Sequence, residues 1–164
     1  MKVIFLDIDG VLNTYYTKET IEQYTFISED KILLLKELID KTDAKIVLSS
    51  TWRRGWYCKE CDDPEMLTSG DFQDIRLFNA LQAKLAEYDI YMIGYTDDFG
   101  LRGEEIDQWL KQWDGEPIES FVILDDMSGA ELRPHSRYLI QTSMLEGLNE
   151  KHVARAIKIL NDKK

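Results

Sequence analysis

The sequence predicts a three-layer α/β fold, with one open and mostly parallel sheet of five strands and helices on both faces. Short runs of apolar, β-favouring residues alternate along the chain with longer segments whose apolar residues recur at helical spacing. Strands that alternate with helices form right-handed crossovers, which produce a parallel sheet covered on both sides in a Rossmann-like arrangement. A chain of 164 residues with 44% hydrophobic content suits a single domain, 1–164, with a sizeable core.

The N-terminal part of the chain predicts a strand, an irregular segment and a helix. Residues 2–6 are a nearly continuous apolar run and are predicted as the first strand. Residues 14–27 are polar and aromatic without a sustained period, which predicts a flap-like loop or small hairpin. A helix is predicted from an N-cap at Ser28 to about Lys41, because acidic residues occupy its first turn and its apolar residues lie on one face.

The middle of the chain continues the alternation. Residues 45–48 predict the second strand, and 52–70 are predicted as a long loop. Aromatic and aliphatic residues at helical spacing predict a helix over 71–87. Residues 90–93 predict the third strand, and 103–113 predict the helix that follows it.

The C-terminal part predicts the last two strands and a final helix. Residues 121–124 are a short apolar run that predicts the fourth strand, and 138–140 predict a short fifth strand. The tail from Asn149 to Leu160 is amphipathic and predicted as a helix. In open sheets of this kind, ligands bind beyond the carboxyl ends of the strands, so chemistry is expected there.

Charge and hydropathy limit the classes of partner. The net charge of −11 opposes an extended nucleic-acid or anionic-lipid surface, because such partners require concentrated Lys and Arg, although a small cationic pocket remains compatible. No stretch approaches the ~20 apolar residues of a membrane span, and no signal peptide is evident. We therefore expect a cytoplasmic protein with no membrane partner; the pattern gives no oligomeric state.

The two cysteines form a single pair, Cys58 and Cys61, in a segment predicted as a loop. A structural zinc site needs further ligands, and no other cysteine is present. Two unbonded cysteines in a loop, a reversible disulfide and a metal site are all compatible with this spacing, and the first requires the fewest additional features.

The first strand delivers two aspartates, Asp7 and Asp9, into a turn at Gly10. Alternate residues of an extended segment point the same way, so both carboxylates can face one reaction centre. One carboxylate can then attack or bind metal while the other moves a proton. A plain Asp-Gly turn after a strand is the alternative interpretation of this segment alone.

Two further strand ends carry polar residues. The second strand ends in Ser49-Ser50-Thr51, and the fourth ends in Asp125-Asp126. Two carboxylate pairs in one crevice repel each other unless a cation neutralises them. Mg²⁺ suits this position because it takes oxygen ligands and binds substrate phosphate. Arg102, placed just before the predicted helix, adds positive charge at a helix N-terminus. Taken alone, Asp125-Asp126 could be an acidic turn, Ser49-Ser50-Thr51 a helix cap or loop, and Arg102 a surface arginine. Their fixed order on alternating strand ends favours a phosphoryl-transfer site.

This order resembles the haloacid dehalogenase (HAD) superfamily of aspartate-nucleophile phosphatases. The resemblance covers Lys2 to about Ser128. It is carried by Phe5-Leu6-Asp7-Ile8-Asp9-Gly10-Val11, Ile46-Val47-Leu48-Ser49-Ser50, Arg102 and Val122-Ile123-Leu124-Asp125-Asp126. Residues 49–53 and 101–110 also resemble a small branch of the superfamily found fused in RNA-repair proteins. Many HAD members have Lys where this chain has Arg102, so a planar fork replaces a point charge.

The resemblance implies a role for each matching residue. Asp7 would be the nucleophile that forms an aspartyl-phosphate, and Asp9 would give and take the proton. Ser49, with Ser50 beside it, would bind phosphoryl oxygens, and Arg102 would hold both the phosphate and Asp7. The implied Mg²⁺ ligands are Asp7, the backbone carbonyl of Asp9, and Asp126 directly, with Asp125 acting through water or by orienting its neighbour.

The resemblance also implies an open site. The segments between the motifs are too short for a full cap domain, so a capless HAD enzyme is expected, with Trp52 and Arg53 as substrate-rim residues. Ordinary packing of an amphipathic loop is the alternative interpretation of these two residues. The implied function is a Mg²⁺-dependent phosphatase that acts on a phosphorylated substrate, with a nucleotide or polynucleotide end among the candidates. A phosphotransferase using the same intermediate and a non-catalytic HAD-like binding domain remain the alternatives.

Overall fold

A computed structural model of the chain describes residues 1–127 and 130–162; Ser128, where the resemblance ends, lies outside them. Five strands form one sheet: β1 (Lys2–Leu6), β4 (Lys45–Leu48), β5 (Met92–Tyr95), β6 (Ser120–Asp125) and β7 (Leu139–Gln141). Their order in the sheet is β5-β4-β1-β6-β7, and every neighbouring pair is parallel. The predicted α/β fold class, with a parallel five-stranded sheet, is confirmed.

Helices cover both faces of this sheet, as predicted. The helices are α1 (Glu29–Thr42), α2 (Arg53–Lys59), α3 (Ser69–Ala86), α4 (Arg102–Gln112) and α5 (Glu150–Asn161), with 3-10 turns at Pro64–Met66 and Ala130–His135. Ile4 and Leu6 face the larger core, to which α1, α3 and α5 contribute, whereas Val3 and Phe5 face a smaller core against Ile106 of α4. Side chains alternate across β1 because successive strand residues point to opposite faces.

The register of the central strands levels their carboxyl ends. Leu6 of β1 lies opposite Leu48 of β4 on one side and Leu124 of β6 on the other. The backbone N–H of Asp7 donates to the Leu124 carbonyl at 2.9 Å, and the N–H of Ser49 donates to the Leu6 carbonyl at 2.8 Å. The residues that follow the three strands are therefore held at one edge of the sheet.

Residues 52–70 are not the predicted loop, because α2 and a 3-10 turn lie within them. The seven residues of α2 carry no helical period, and they include Gly55, a poor helix former. The helix is stabilised by packing on α3 instead. A Cβ at Gly55 would lie 2.1 Å from the carbonyl oxygen of Asp74, and Trp56 stacks on Phe78 with ring centroids 5.2 Å apart.

The segment 14–27 contains a small hairpin, one of its two predicted forms, made of β2 (Thr20–Ile21) and β3 (Tyr24–Thr25). Its turn residue Glu22 has a left-handed φ of 54° and accepts hydrogen bonds from Arg76 and Gln73 of α3, at 2.8 and 3.3 Å. These contacts hold the hairpin against α3.

Ser28 occupies the predicted N-cap position of α1, but its side chain makes no cap hydrogen bond. Its hydroxyl instead donates to the carbonyl of Leu12 at 3.3 Å, which ties the start of α1 to the segment after β1. The other predicted strand and helix boundaries fall within about two residues of the observed ones. Among the described residues, no helix combines the length and hydrophobicity that a membrane span requires.

Candidate active site

Asp7 follows β1 directly and is 8% exposed. Its Oδ1 accepts a hydrogen bond from the backbone N–H of Ile8 at 2.8 Å, and the Ser50 hydroxyl also donates to its carboxylate. Burial and the neighbouring Asp125 raise the pKa of Asp7 to about 7, against the opposing effects of Arg102 and these hydrogen bonds. The raised pKa shows that this site disfavours the negative charge of Asp7 and would be stabilised by additional positive charge.

Asp7, Asp125 and Asp126 form an acidic cluster, in which one carboxylate oxygen from each lies within 4.8 Å of the others. Asp125 is buried, and its Oδ1 accepts from the backbone N–H of Met127 at 2.8 Å. Gly10 lies against this cluster: its φ is +75°, and a Cβ there would be 2.6 Å from Oδ2 of Asp126. An oxygen-only donor set with this mutual repulsion fits a hard divalent cation such as Mg²⁺.

The carboxylate of Asp9 is held outside the acidic cluster. Its Oδ1 accepts from the amide of Asn13 at 2.8 Å, and its Oδ2 accepts from the indole N–H of Trp52 at 3.1 Å. Asn13 in turn accepts from the backbone N–H of Gly10 at 3.0 Å, so it also fixes the turn. Trp52, predicted as a substrate-rim residue, is half-buried and is a direct partner of Asp9.

Arg102 brings positive charge to the same edge of the sheet. It is the first residue of α4 rather than the residue before it, and it is 9% exposed. Its Nη1 donates to the Ser49 hydroxyl at 3.3 Å and lies 3.8 Å from Oδ2 of Asp125. The structure thus places Ser49, Ser50 and Arg102 beside the acidic cluster, where a hydroxyl and a guanidinium can bind an anion together.

Arg53, predicted on the substrate rim, is instead buried, at 4% exposed. Its Nη2 lies 3.0 Å from Oε2 of Glu105 and 3.0 Å from Oδ1 of Asp98, and its Nη1 donates to Thr96 at 2.9 Å. Glu105, which sequence reasoning missed, is 2% exposed, and its Oε1 accepts from the backbone N–H groups of residues 99 and 100. This ion pair joins the start of α2 to α4, which carries Arg102.

We expect Arg53→Ala to lower the free energy of unfolding by about 3–5 kcal/mol, because it leaves the Glu105 carboxylate buried without its cation. The matched control is Arg54→Ala in the next position of α2. Arg54 pairs with Asp71 and Asp74, but its side chain is 63% exposed, so its loss should destabilise the protein much less. Urea denaturation of the three proteins measures the difference, and equal losses for both variants would contradict the structural role of Arg53.

Cys58 lies in α2 and not in the predicted loop, whereas Cys61 lies in the connection that follows this helix. Both are free; the thiol of Cys58 is buried and contacts Oδ1 of Asp71 at 3.5 Å, whereas Cys61 contacts the carbonyl of Asp63 at 3.4 Å. Burial raises the pKa of the Cys58 thiol, which favours its unreactive protonated form. Within residues 1–127 and 130–162, the group of acidic, histidine or cysteine side chains close enough to hold a metal is the acidic cluster of Asp7, Asp125 and Asp126.

Comparison with known proteins identifies the family of this site. Residues 3–153 match the family described as the HAD domain in Swiss Army Knife RNA repair proteins. No curated protein and no solved structure matched the chain. The match covers most of the chain and supports HAD-type phosphatase or hydrolase activity in general. HAD domains generally use Mg²⁺. The chain belongs to the family of HAD domains found in Swiss Army Knife RNA repair proteins.

Proposed function

We propose that this protein is a Mg²⁺-dependent phosphatase that hydrolyses a phosphate monoester through an aspartyl-phosphate on Asp7. The observation that carries the proposal is the position of the acidic cluster beside the Arg102–Ser49 contact. A carboxylate that can act as a nucleophile and groups that can bind a phosphoryl anion then lie together at one edge of the sheet. The family match to RNA-repair proteins favours a phosphorylated RNA end or nucleotide as substrate.

The proposed reaction has two steps. An oxygen of the Asp7 carboxylate attacks phosphorus, the bond from phosphorus to the ester oxygen breaks, and Asp9 gives its proton to the departing oxygen. Asp9, now a carboxylate, takes a proton from water as that water attacks the aspartyl-phosphate. Inorganic phosphate leaves and both aspartates return to their starting forms. Ser49 and Arg102 bind the phosphoryl oxygens in both steps.

The metal is proposed to be held by Asp7, Asp126 and the backbone carbonyl of Asp9, with Asp125 acting through water or by orienting Asp126. When bound, Mg²⁺ neutralises the crowded carboxylates and the charge of the phosphoryl group. Asp126 is more exposed than Asp125, and it lies against the Gly10 turn that also carries Asp9, which favours it as the direct ligand.

Activity should therefore require Mg²⁺, and Ca²⁺ should substitute poorly because its looser coordination misplaces the nucleophile. Asp126→Ala should weaken Mg²⁺ binding about tenfold more than Asp125→Ala, as expected for a direct ligand against a second-sphere one. Calorimetric titration of Mg²⁺ into the two variants, each verified as folded, measures this difference. Full activity in excess chelator would rule out the metal role, and equal affinities would contradict the assignment of Asp126.

A phosphotransferase would use the same intermediate and pass the phosphoryl group to an acceptor other than water. Product analysis in the presence of an alcohol separates the two reactions, because a hydrolase releases inorganic phosphate as the main product. A non-catalytic binding domain would bind phosphate without turnover of any ester. A catalytic domain is favoured over a binding domain because Asp9 is held by Asn13 and Trp52 outside the acidic cluster, where its carboxyl group can serve in proton transfer.

A further inference from the structure

A groove of about 370 Å³ opens beside Asp9. The hairpin β2–β3 contributes Tyr24 and Thr25 to its lining, the segment leading into α2 contributes Thr51 and Trp52, and α3 contributes Leu77. Asp9 lines this groove, but Asp7, Asp125 and Asp126 do not. The groove therefore adjoins the proposed proton donor and not the proposed nucleophile.

The geometry of the proposed reaction puts the leaving group of the ester in the groove beside Asp9. An in-line displacement puts the leaving group on the side of phosphorus opposite the attacking oxygen of Asp7. The proton donor must lie within hydrogen-bond reach of the leaving oxygen, so the leaving group lies beside Asp9. The indole of Trp52, which donates to Asp9 at 3.1 Å, is at the same time part of the groove wall. The groove is thus on the leaving-group side of the reaction centre.

The chemistry of the lining selects a class of leaving group. Trp52 and Tyr24 provide aromatic surface and Leu77 is apolar. The hydroxyls of two threonines can donate hydrogen bonds to a ligand and accept them from it. The cation in the lining, Arg54, lies 3.0 Å from Asp74 and 3.2 Å from Asp71, so its charge is already matched by two carboxylates. Aromatic surface with hydroxyls and a neutralised cation fits a neutral, flat group that carries hydrogen-bonding atoms, and it does not favour a second phosphate.

We propose that this groove binds the nucleoside, one base with its sugar, of the phosphate monoester that the site hydrolyses. The inference rests on the proposed phosphatase function and assigns its leaving group. The groove lies at the lower end of the ~300–1,000 Å³ typical of small-molecule sites, which suits one nucleoside and not several. The contacts of Glu22 with Arg76 and Gln73 hold the hairpin against α3, and this keeps Tyr24 at the groove.

Tyr24→Ala tests the assignment against Tyr91→Ala as a matched control. Tyr91 is 64% exposed and precedes β5, at the end of the sheet opposite the site. The measured quantity is the ratio of kcat/KM for adenosine monophosphates, 5′ and 3′, to kcat/KM for methyl phosphate. Tyr24→Ala should lower this ratio about tenfold, the size of a lost base-stacking contact, whereas Tyr91→Ala should leave it unchanged. An unchanged ratio in Tyr24→Ala would overturn the nucleoside assignment.

A binding measurement that needs no turnover separates this proposal from the phosphatase proposal. Unphosphorylated adenosine should shift the Trp52 indole N–H resonance of ¹⁵N-labelled protein, and Tyr24→Ala should weaken that binding about tenfold. Absence of the shift, or a higher kcat/KM for a phosphoserine peptide, which is also an alkyl ester, than for the adenosine phosphates, would overturn the nucleoside assignment while leaving a phosphatase in place. Failure of every phosphate ester to turn over would instead remove the proposed function on which the assignment rests.

Discussion

Asp7→Asn is expected to lower turnover of an aryl phosphate by at least ~10³-fold, because an amide cannot form the acyl-phosphate. The substitution keeps the shape of the side chain and the acceptor for the Ile8 N–H. An aryl ester with a good leaving group is the appropriate substrate, because it needs little help from a proton donor. Steady-state release of the aryl alcohol measures the loss.

The control for Asp7→Asn is the stability of the variant itself. Asp7 is buried beside Asp125, and removal of its charge relieves repulsion in the metal-free protein. The free energy of unfolding in chelator should therefore be equal to or higher than that of the wild type. A folded variant with activity within tenfold of the wild type would contradict the assignment of Asp7 as nucleophile.

The position of the site was predictable because it depends on local patterns and one topological rule. The apolar runs before Asp7, Ser49 and Asp125 are short and end abruptly, so their strands could be located from the sequence. Parallel strands put their carboxyl ends at one edge, and the pairing of Leu6 with Leu48 and Leu124 levels those ends. These residues could therefore be assigned to one edge of the sheet from the positions of their strands alone, without knowledge of any contact between their side chains.

The elements that sequence reasoning missed are fixed by tertiary contacts. The helix α2 depends on the close approach of Gly55 to Asp74 of α3, which no local period reveals. The burial of Arg53 depends on Glu105, more than fifty residues away, so an arginine beside a tryptophan resembled a surface pair. The available signal was a glutamate four residues before Trp109, in line with the apolar face of α4, but acidic residues are common in a first turn for helix-dipole reasons.

Asn13 was also missed as a residue of the candidate site, although its spacing offered a hint. It lies four residues after Asp9 across the Gly10 turn, a separation that allows a side-chain amide to reach back to both. In the structure, Asn13 and Trp52 hold the two oxygens of Asp9 from different segments of the chain. This arrangement fixes the orientation of Asp9, whereas the sequence indicated only that Asp9 shares a strand end with Asp7.

Asp9→Asn is expected to lower kcat/KM for an alkyl phosphate by ~10²–10⁴-fold, the usual contribution of a general acid. An alkoxide is a poor leaving group and must be protonated as its bond to phosphorus breaks. An acidic phenol leaves an aryl phosphate as the phenolate and needs no protonation. The rate of aspartyl-phosphate formation from an aryl phosphate should therefore fall much less in Asp9→Asn. The two esters are compared by the rate of the initial burst of alcohol release, which reports the formation of the aspartyl-phosphate. Steady-state rates would not separate them, because loss of the base that activates water slows hydrolysis of the aspartyl-phosphate for both esters.

Trp52→Phe is the matched control for Asp9→Asn, because it removes the indole N–H that donates to Oδ2 of Asp9 but keeps the carboxyl group and an aromatic ring. It should lower the burst rate for the alkyl ester by less than Asp9→Asn does, since Asn13 still holds Oδ1. Equal losses for alkyl and aryl esters in Asp9→Asn would contradict the role of Asp9 as proton donor. Asp9 would then act through its backbone and its contacts with Asn13 and Trp52, as a residue that shapes the turn around Gly10.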